Sequence, residues 1–244
     1  MFSGILLAII QAATEFLPIS SSGHLAIATN LISQPDLFFF TALHLASLIA
    51  VLIFTRKELA SLVKFKKETR NLWLFLMIAT IPSALFGFFF RSRIEGTFSS
   101  FLFIGIALCF TGVILFFTRF TKGGSDLSIK SALIIGLFQT LALFPGVSRS
   151  GITISCALFL GIGREKAAKF SFLLFVPLSL GAFMLEGLEG CYVNLALGIS
   201  FLTCLILSLL FLNLLIFILK RDRFWLFSIY CVLAGLVTLA INYL

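Results

Sequence analysis

Charged side chains are scarce in this chain. Asp, Glu, Lys and Arg make up 11% of the 244 residues and hydrophobic residues 60%, for a mean hydropathy of +1.16. That balance excludes a soluble globular domain and a disordered chain. Alternation of apolar and polar residues over roughly 10-residue segments is missing too, which excludes a transmembrane β-barrel. The opening MFSGILLAII has neither a basic leader nor a small-residue cleavage site, so it is read as part of the mature protein rather than a removable signal. No CxxC pair occurs. Cys109, Cys156, Cys191, Cys204 and Cys231 each lie in apolar runs, which fits small buried side chains better than disulfides or metal ligands.

What the chain does have is apolar length. Six segments, 37–55, 72–90, 98–118, 167–185, 191–219 and 224–243, are long enough to cross a bilayer as helices. The fifth is long enough to tilt. Residues 2–32 and 132–162 do not fit this mould. In the first, the apolar arms 2–10 and 25–32 fall far short of the ~20 residues a spanning helix needs, and a polar run divides them. Each stretch predicts a re-entrant helical hairpin, tolerated only where protein or water surrounds the turn.

The two polar runs repeat one another. Residues 11–23 read QAATEFLPISSSG and residues 139–151 read QTLALFPGVSRSG, with identities at Gln11/Gln139, Phe16/Phe144, Ser20/Ser148, Ser22/Ser150 and Gly23/Gly151, all 128 apart. Lys and Arg collect in cytoplasmic loops. With 56–70 inside, 119–130, 164–169 and 220–223 follow it, and these four segments hold 15 of the 18 basic residues. Arg91 and Arg93 fall outside, as does the short loop with Glu186 and Glu189. Both termini are then external, and the hairpins enter from opposite faces. The expected fold is an all-α polytopic membrane protein, six transmembrane helices plus two re-entrant hairpins in an inverted-topology repeat. It forms one domain with halves at about 1–118 and 129–244.

Polar groups kept in lipid mark a site. Arg149 is the only basic residue predicted at membrane depth, where an unpaired Arg costs roughly 2.5–3.5 kcal/mol, so it needs an anionic partner. A phosphate suits its forked donors, and Ser148, Ser150 and the amides around Gly146 and Gly151 can add more. An internal salt bridge to Glu15 is the structural alternative. The first turn gathers Glu15, Ser20, Ser21, Ser22 and His24, which supply a nucleophile, an acid or base and an orienting group for displacement at phosphorus. A serine cluster can equally cap a half-helix. Gln11 and Glu15, one turn apart, share a helix face, and their hard oxygens suit Mg²⁺ or Ca²⁺. His44, in mid-span, either bonds a neighbouring helix or joins the site. Pro82 and Pro177 are expected to kink their spans. Residues 59–70 have an amphipathic pattern that suits the inner membrane surface, against anionic lipid.

These residues resemble the bacterial undecaprenyl-diphosphate phosphatase family, also called the bacitracin-resistance protein family. Its first signature, (E/Q)xxxE followed by P-x-S-S-S-G-H, stands here at Gln11 to Glu15 and Pro18 to His24. Its second, P-G-x-S-R-S-G, stands at Pro145 to Gly151. The likeness continues through ALHLASLIAVLIF, TIPSALFG, IIGLFQTLALFPG and AAKFSFLLFVP. It implies removal of the terminal phosphate of undecaprenyl diphosphate in the bacterial cytoplasmic membrane, recycling the lipid carrier of cell-wall synthesis through a site open to the outer face. Ser21 and His24 then correspond to the proposed catalytic pair, Glu15 and Gln11 to the acidic motif with its divalent cation, and Arg149 to the phosphate-binding arginine; Ser20, Ser22, Ser148, Ser150 and Gly146 are expected around the phosphate from the chemistry of the two turns. Many members carry Glu where this chain has Gln11, which moves the metal role toward Glu15.

The expected mechanism has Ser21 attacking the terminal phosphorus with His24 as general base and later acid; a variant makes His24 the nucleophile. The competing reading is a transporter of a polyprenyl phosphate or another anion, since inverted repeats with broken helices also build transporters. Expected partners are undecaprenyl diphosphate and membrane lipid, with no nucleic acid and a homodimer left open.

Overall fold

In the computed structural model, residues 2–31, 37–63, 70–186 and 194–242 are described. Cys191, Glu189, the basic residues between 64 and 69, and Tyr243 therefore lie outside the described residues. The chain runs α1 (Phe2–Phe16), α2 (Ser21–Leu31), α3 (Leu37–Phe54), α4 (Arg56–Val63), α5 (Arg70–Phe89), α6 (Arg91–Glu95), α7 (Phe101–Phe117), α8 (Ile129–Gln139), α9 (Arg149–Phe159), α10 (Arg164–Glu186), α11 (Leu195–Lys220) and α12 (Phe227–Ile241). Among the described residues the only β pairing is one isolated bridge between Ser125 and Ile162.

Among the described residues five helices are long and apolar enough to cross a membrane: 71–89, 101–120, 164–184, 195–220 and 224–241. A sixth is counted if α3 and α4, which meet at a 74° bend, form one broken span. The bend falls at Thr55, where apolar sequence gives way to Arg56, Lys57 and Glu58, and α4 leaves along its amphipathic face. Pro82 and Pro177 lie inside α5 and α10, which continue through them.

The two short-armed stretches form helix–turn–helix units. α1 and α2 have 15 and 11 residues, and α8 and α9 have 11 each. At 1.5 Å per residue, 11 residues reach about 16 Å, half a hydrocarbon core. The arms differ from those read in the sequence: α1 runs unbroken through Gln11 and Glu15 to Phe16, and α2 starts at Ser21 rather than Leu25. Extending the first arm keeps both polar side chains on a helix face instead of in a turn. From Ser150 to Leu158 every residue of α9 is buried, so protein surrounds this half-helix on all sides.

Around these units α1 packs on α11, α8 on α5, α3 on α11, α10 on α3, α5 and α9, and α7 on α12. The α7–α12 contact is close because glycines face each other. A Cβ on Gly235 would stand 2.5 Å from Cys109 Sγ and 2.8 Å from the Gly105 carbonyl. Small residues are how apolar helices without a hydrophobic drive between them associate.

Candidate active site

The two turns meet and hold each other. Ser20, between α1 and α2, has φ +70, a region that a residue with a Cβ enters only under constraint. Two amides constrain it: Gly23 N–H donates to Ser20 Oγ at 3.3 Å, capping α2, and Gly146 N–H donates to the same oxygen at 3.1 Å from the other turn. The second turn repeats the cap, with Gly151 N–H donating to Ser148 Oγ at 3.1 Å. The hydroxyl pairs Ser20/Ser22 and Ser148/Ser150 both stand at 3.3 Å.

The equivalence ends at the backbone. In the second turn the left-handed residue is Gly146, φ +93, whose counterpart in the first is Pro18. A Cβ at Gly146 would fall 2.6 Å from the Ile104 carbonyl. Thr111 of α7 completes the clamp, its hydroxyl 3.0 Å from the Gly146 carbonyl and accepting the Ser148 N–H at 3.2 Å. The Gly146 and Gly151 amides, expected to face a phosphate, are thus committed to joining and capping the turns.

Glu15 is the hub. Its side chain is 3% exposed, and Oε1 accepts from Arg149 Nη2 at 2.6 Å. Oε2 accepts from Ser21 Oγ at 2.6 Å and from Gln11 Nε2 at 3.0 Å, and His44 Nε2 stands 3.8 Å away. Arg149, the first residue of α9, also lays its guanidinium carbon 4.2 Å over the Phe175 ring of α10. The salt bridge and the phosphate-ready arginine of the sequence reading are therefore the same group.

His24 faces elsewhere. Its Nδ1 lies 2.8 Å from the Ser20 carbonyl, an acceptor only, so Nδ1 carries the proton in that bond. Nε2 of the neutral ring then accepts from Tyr230 Oη of α12 at 2.7 Å, with the two rings stacked 5.7 Å apart. Both ring nitrogens are used away from Ser21, whose hydroxyl goes to Glu15 instead. Ser21 and Glu15 are brought together, whereas Ser21 and His24 are not hydrogen-bonded to each other.

A cavity of about 300 Å³ opens beside this cluster. Arg149 and Ser22 border it, together with Thr41, His44, Leu45 and Leu48 of α3 and Gln139, Ala142 and Leu143 of the second hairpin; Phe98 and Leu178, Ser179, Ala182 and Phe183 of α10 close it. Apolar walls with a few polar groups are what an amphiphilic ligand requires. Of the residues read as phosphate-binding, Arg149 and Ser22 reach this cavity, while Ser20, Ser148, Ser150 and Gly146 make the knot that sets them. His44 stands out in the sequence as a polar residue in an apolar run; its Nδ1 lies 3.1 Å from the Phe40 carbonyl of its own helix. Thr111, Phe175 and Tyr230 give no local sequence signal.

Among the described residues no three His, Cys, Asp or Glu side chains gather as a metal cage. The buried Gln11 carbonyl oxygen has no hydrogen-bond partner among the described residues and belongs to the side chain that bonds Glu15. A carboxylate and an amide oxygen are hard donors of the kind that Mg²⁺ or Ca²⁺ takes.

Residues 4–237 match the family model described as bacitracin resistance protein BacA. An undecaprenyl-diphosphatase of Thermosipho africanus is 43% identical, covering 96% of this chain and 97% of its own length. One of Elusimicrobium minutum is 42% identical over 96% and 95%, and one of Methanococcus vannielii 39% over 95% and 96%. With that match and its run of apolar spanning helices, the chain belongs to the BacA family of bacitracin-resistance proteins and is a multi-pass membrane protein.

Proposed function

We propose that this chain is an undecaprenyl-diphosphate phosphatase, hydrolysing the terminal phosphate of undecaprenyl diphosphate to give undecaprenyl phosphate and phosphate and so returning the carrier to peptidoglycan synthesis. One carboxylate carries the reading: Glu15 accepts the Ser21 hydroxyl on one oxygen and the Arg149 guanidinium on the other, both at 2.6 Å. A nucleophile, its base and a phosphate-binding cation thus converge beside a cavity with apolar walls.

In the proposed sequence Ser21 Oγ attacks the terminal phosphorus as its proton passes to Glu15 Oε2. The bond from that phosphorus to the bridging oxygen breaks, and undecaprenyl phosphate leaves. Protonation removes the charge that held Arg149, freeing its fork for the phosphoryl oxygens as negative charge builds there. Glu15 then gives its proton to the leaving oxygen and, ionised again, takes one from the water that attacks the phosphoserine; the bond from phosphorus to Ser21 Oγ breaks, phosphate leaves, and Glu15 returns that proton to Ser21 Oγ. His24, bonded to Ser20 and Tyr230, holds the turn that presents Ser21. Glu15 and the Gln11 carbonyl would hold a divalent cation, which when bound neutralises diphosphate charge. Transport alone gives no reason for the Ser21–Glu15 bond.

The fold is proposed to be an inverted-topology repeat placed in the cytoplasmic membrane with the site open to the outer face, and the packing supports the repeat. Matching α1 with α8, α3 with α10, α5 with α11 and α7 with α12 turns the α1–α11 contact into α8–α5 and α3–α11 into α10–α5, and returns α7–α12 to itself. Purified protein given undecaprenyl diphosphate tests the function. Phosphate release is expected with Mg²⁺ or Ca²⁺, to stop with a chelator, and to fall roughly a thousandfold or more in Ser21→Ala. Undiminished release by Ser21→Ala overturns the serine route, and lipid binding without release by wild type points to transport.

A further inference from the structure

A second cavity, about 450 Å³, lies at the 74° bend between α3 and α4. Ile53, Phe54 and Leu209 form its apolar wall, and Arg56, Lys57, Glu58, Lys169 and Asn213 add polar groups. It sits at the end of the bundle where ion pairs cluster. Lys169 Nζ reaches Glu58 at 3.0 Å and Glu165 at 3.3 Å, and Lys220 reaches Glu165 at 3.4 Å. This network takes up Glu58 and Lys169. It leaves Arg56 and Lys57, both exposed, without an ion-pair partner among the described residues.

Asn213 is the second observation. It lies on α11 about 10 Å, at 1.5 Å per residue, below the helix end at Lys220, on a surface otherwise presenting Leu210, Leu214 and Phe217 to lipid. The amide is exposed; its Nδ2 donates to Leu209 O at 2.7 Å, and no hydrogen bond to Oδ1 is found among the described residues. A polar group at that depth in hydrocarbon is costly unless something polar meets it. Two cations without an ion-pair partner among the described residues, an exposed amide and apolar side chains line this one cavity, which are the partners that the phosphate, the glycerol region and the acyl chain of a glycerophospholipid call for.

We propose that this groove binds an anionic glycerophospholipid from the leaflet on its own side, with the phosphate on Arg56 and Lys57 and the glycerol region against Asn213. The site is separate from the Glu15–Arg149 cluster and does not depend on the reaction assigned to it.

The probe is dioleoylphosphatidylglycerol, offered to the purified full chain in phosphatidylcholine nanodiscs, with lipid retained after extraction counted by native mass spectrometry. Wild type is expected to retain phosphatidylglycerol over phosphatidylcholine. Arg56→Gln/Lys57→Gln is expected to retain about thirtyfold less, roughly a fivefold factor for each basic residue at a lipid surface, and Asn213→Leu also less. Arg221→Gln/Arg223→Gln removes the same charge nearby and is expected to leave retention unchanged; an equal loss there would mean unspecific surface attraction and overturn the site. Displacement of the lipid from wild type by millimolar inorganic phosphate would make it a free-phosphate site and overturn the lipid assignment. Intact helical circular dichroism in each variant separates lost binding from misfolding, and retention unchanged in folded Arg56→Gln/Lys57→Gln refutes the proposal.

Discussion

Arg149 Nη2 donates to Glu15 Oε1 at 2.6 Å across 134 residues of sequence, so the arginine of the second hairpin is neutralised by the carboxylate of the first. Removing one partner of such a buried pair strands the other charge, which costs about 3–5 kcal/mol, whereas replacing both with neutral groups costs far less. Glu15→Gln and Arg149→Gln are therefore each expected to lower the unfolding temperature in detergent and to reduce phosphate release at least about a thousandfold. The double variant is expected to regain much of the thermal stability and none of the activity. Thermal unfolding followed by circular dichroism, run beside a phosphate assay, checks both. Single variants as stable as wild type would show that the pair does not join the hairpins.

Gly146 carries the tightest backbone in the second turn. It has φ +93, and an added methyl would meet the Ile104 carbonyl at 2.6 Å and Ala107 Cβ at 2.8 Å. Gly146→Ala therefore combines left-handed strain with a backbone clash and is expected to cost about 2–4 kcal/mol. Gly198→Ala, on the exposed side of α11 where nothing lies within 4 Å, is expected to cost nothing. Unfolding temperatures of the two variants make the comparison, and equal values would argue against the clasp between the turns.

Tyr230 holds His24 from α12 through a 2.7 Å hydrogen bond and a stacked ring. Tyr230→Phe keeps the stacking and loses the bond, so phosphate release is expected to fall about tenfold, the worth of one hydrogen bond. Histidine ring NMR is expected to show the tautomer mixture of His24 broadening as Nε2 loses its donor. His24→Ala measured with Tyr230→Phe is expected to be non-additive, because both changes break the same contact. Full additivity would mean that the two side chains act separately.

Much of the fold is legible locally. The apolar runs that became α3, α5, α7, α10, α11 and α12 announce themselves because hydrocarbon demands about 20 apolar residues in a row. The polar half-helices stand out for the converse reason: residues such as Glu15 and Arg149 are costly in lipid and persist only with partners. Helix boundaries are less legible. Gln11 and Glu15 break the hydropathy of α1 without breaking its helix, because Arg149 and Ser21 satisfy the carboxylate, a compensation that no local window contains.

The sequence by itself determined that this is a helical membrane protein with a duplicated polar turn, and it named Glu15, Ser21, His24 and Arg149, because composition and spacing carry the cost of burying charge. Only the tertiary structure decided how those residues pair. Ser21 bonds Glu15 while His24 turns to Tyr230, 206 residues away, and the expected phosphate-facing amides of Gly146 and Gly151 close the turns on Ser20 and Ser148. Hydrogen bonds are satisfied by whatever donor the packing brings within about 3 Å. For a turn buried between helices from both halves, that donor is set by the fold rather than by its neighbours in the chain.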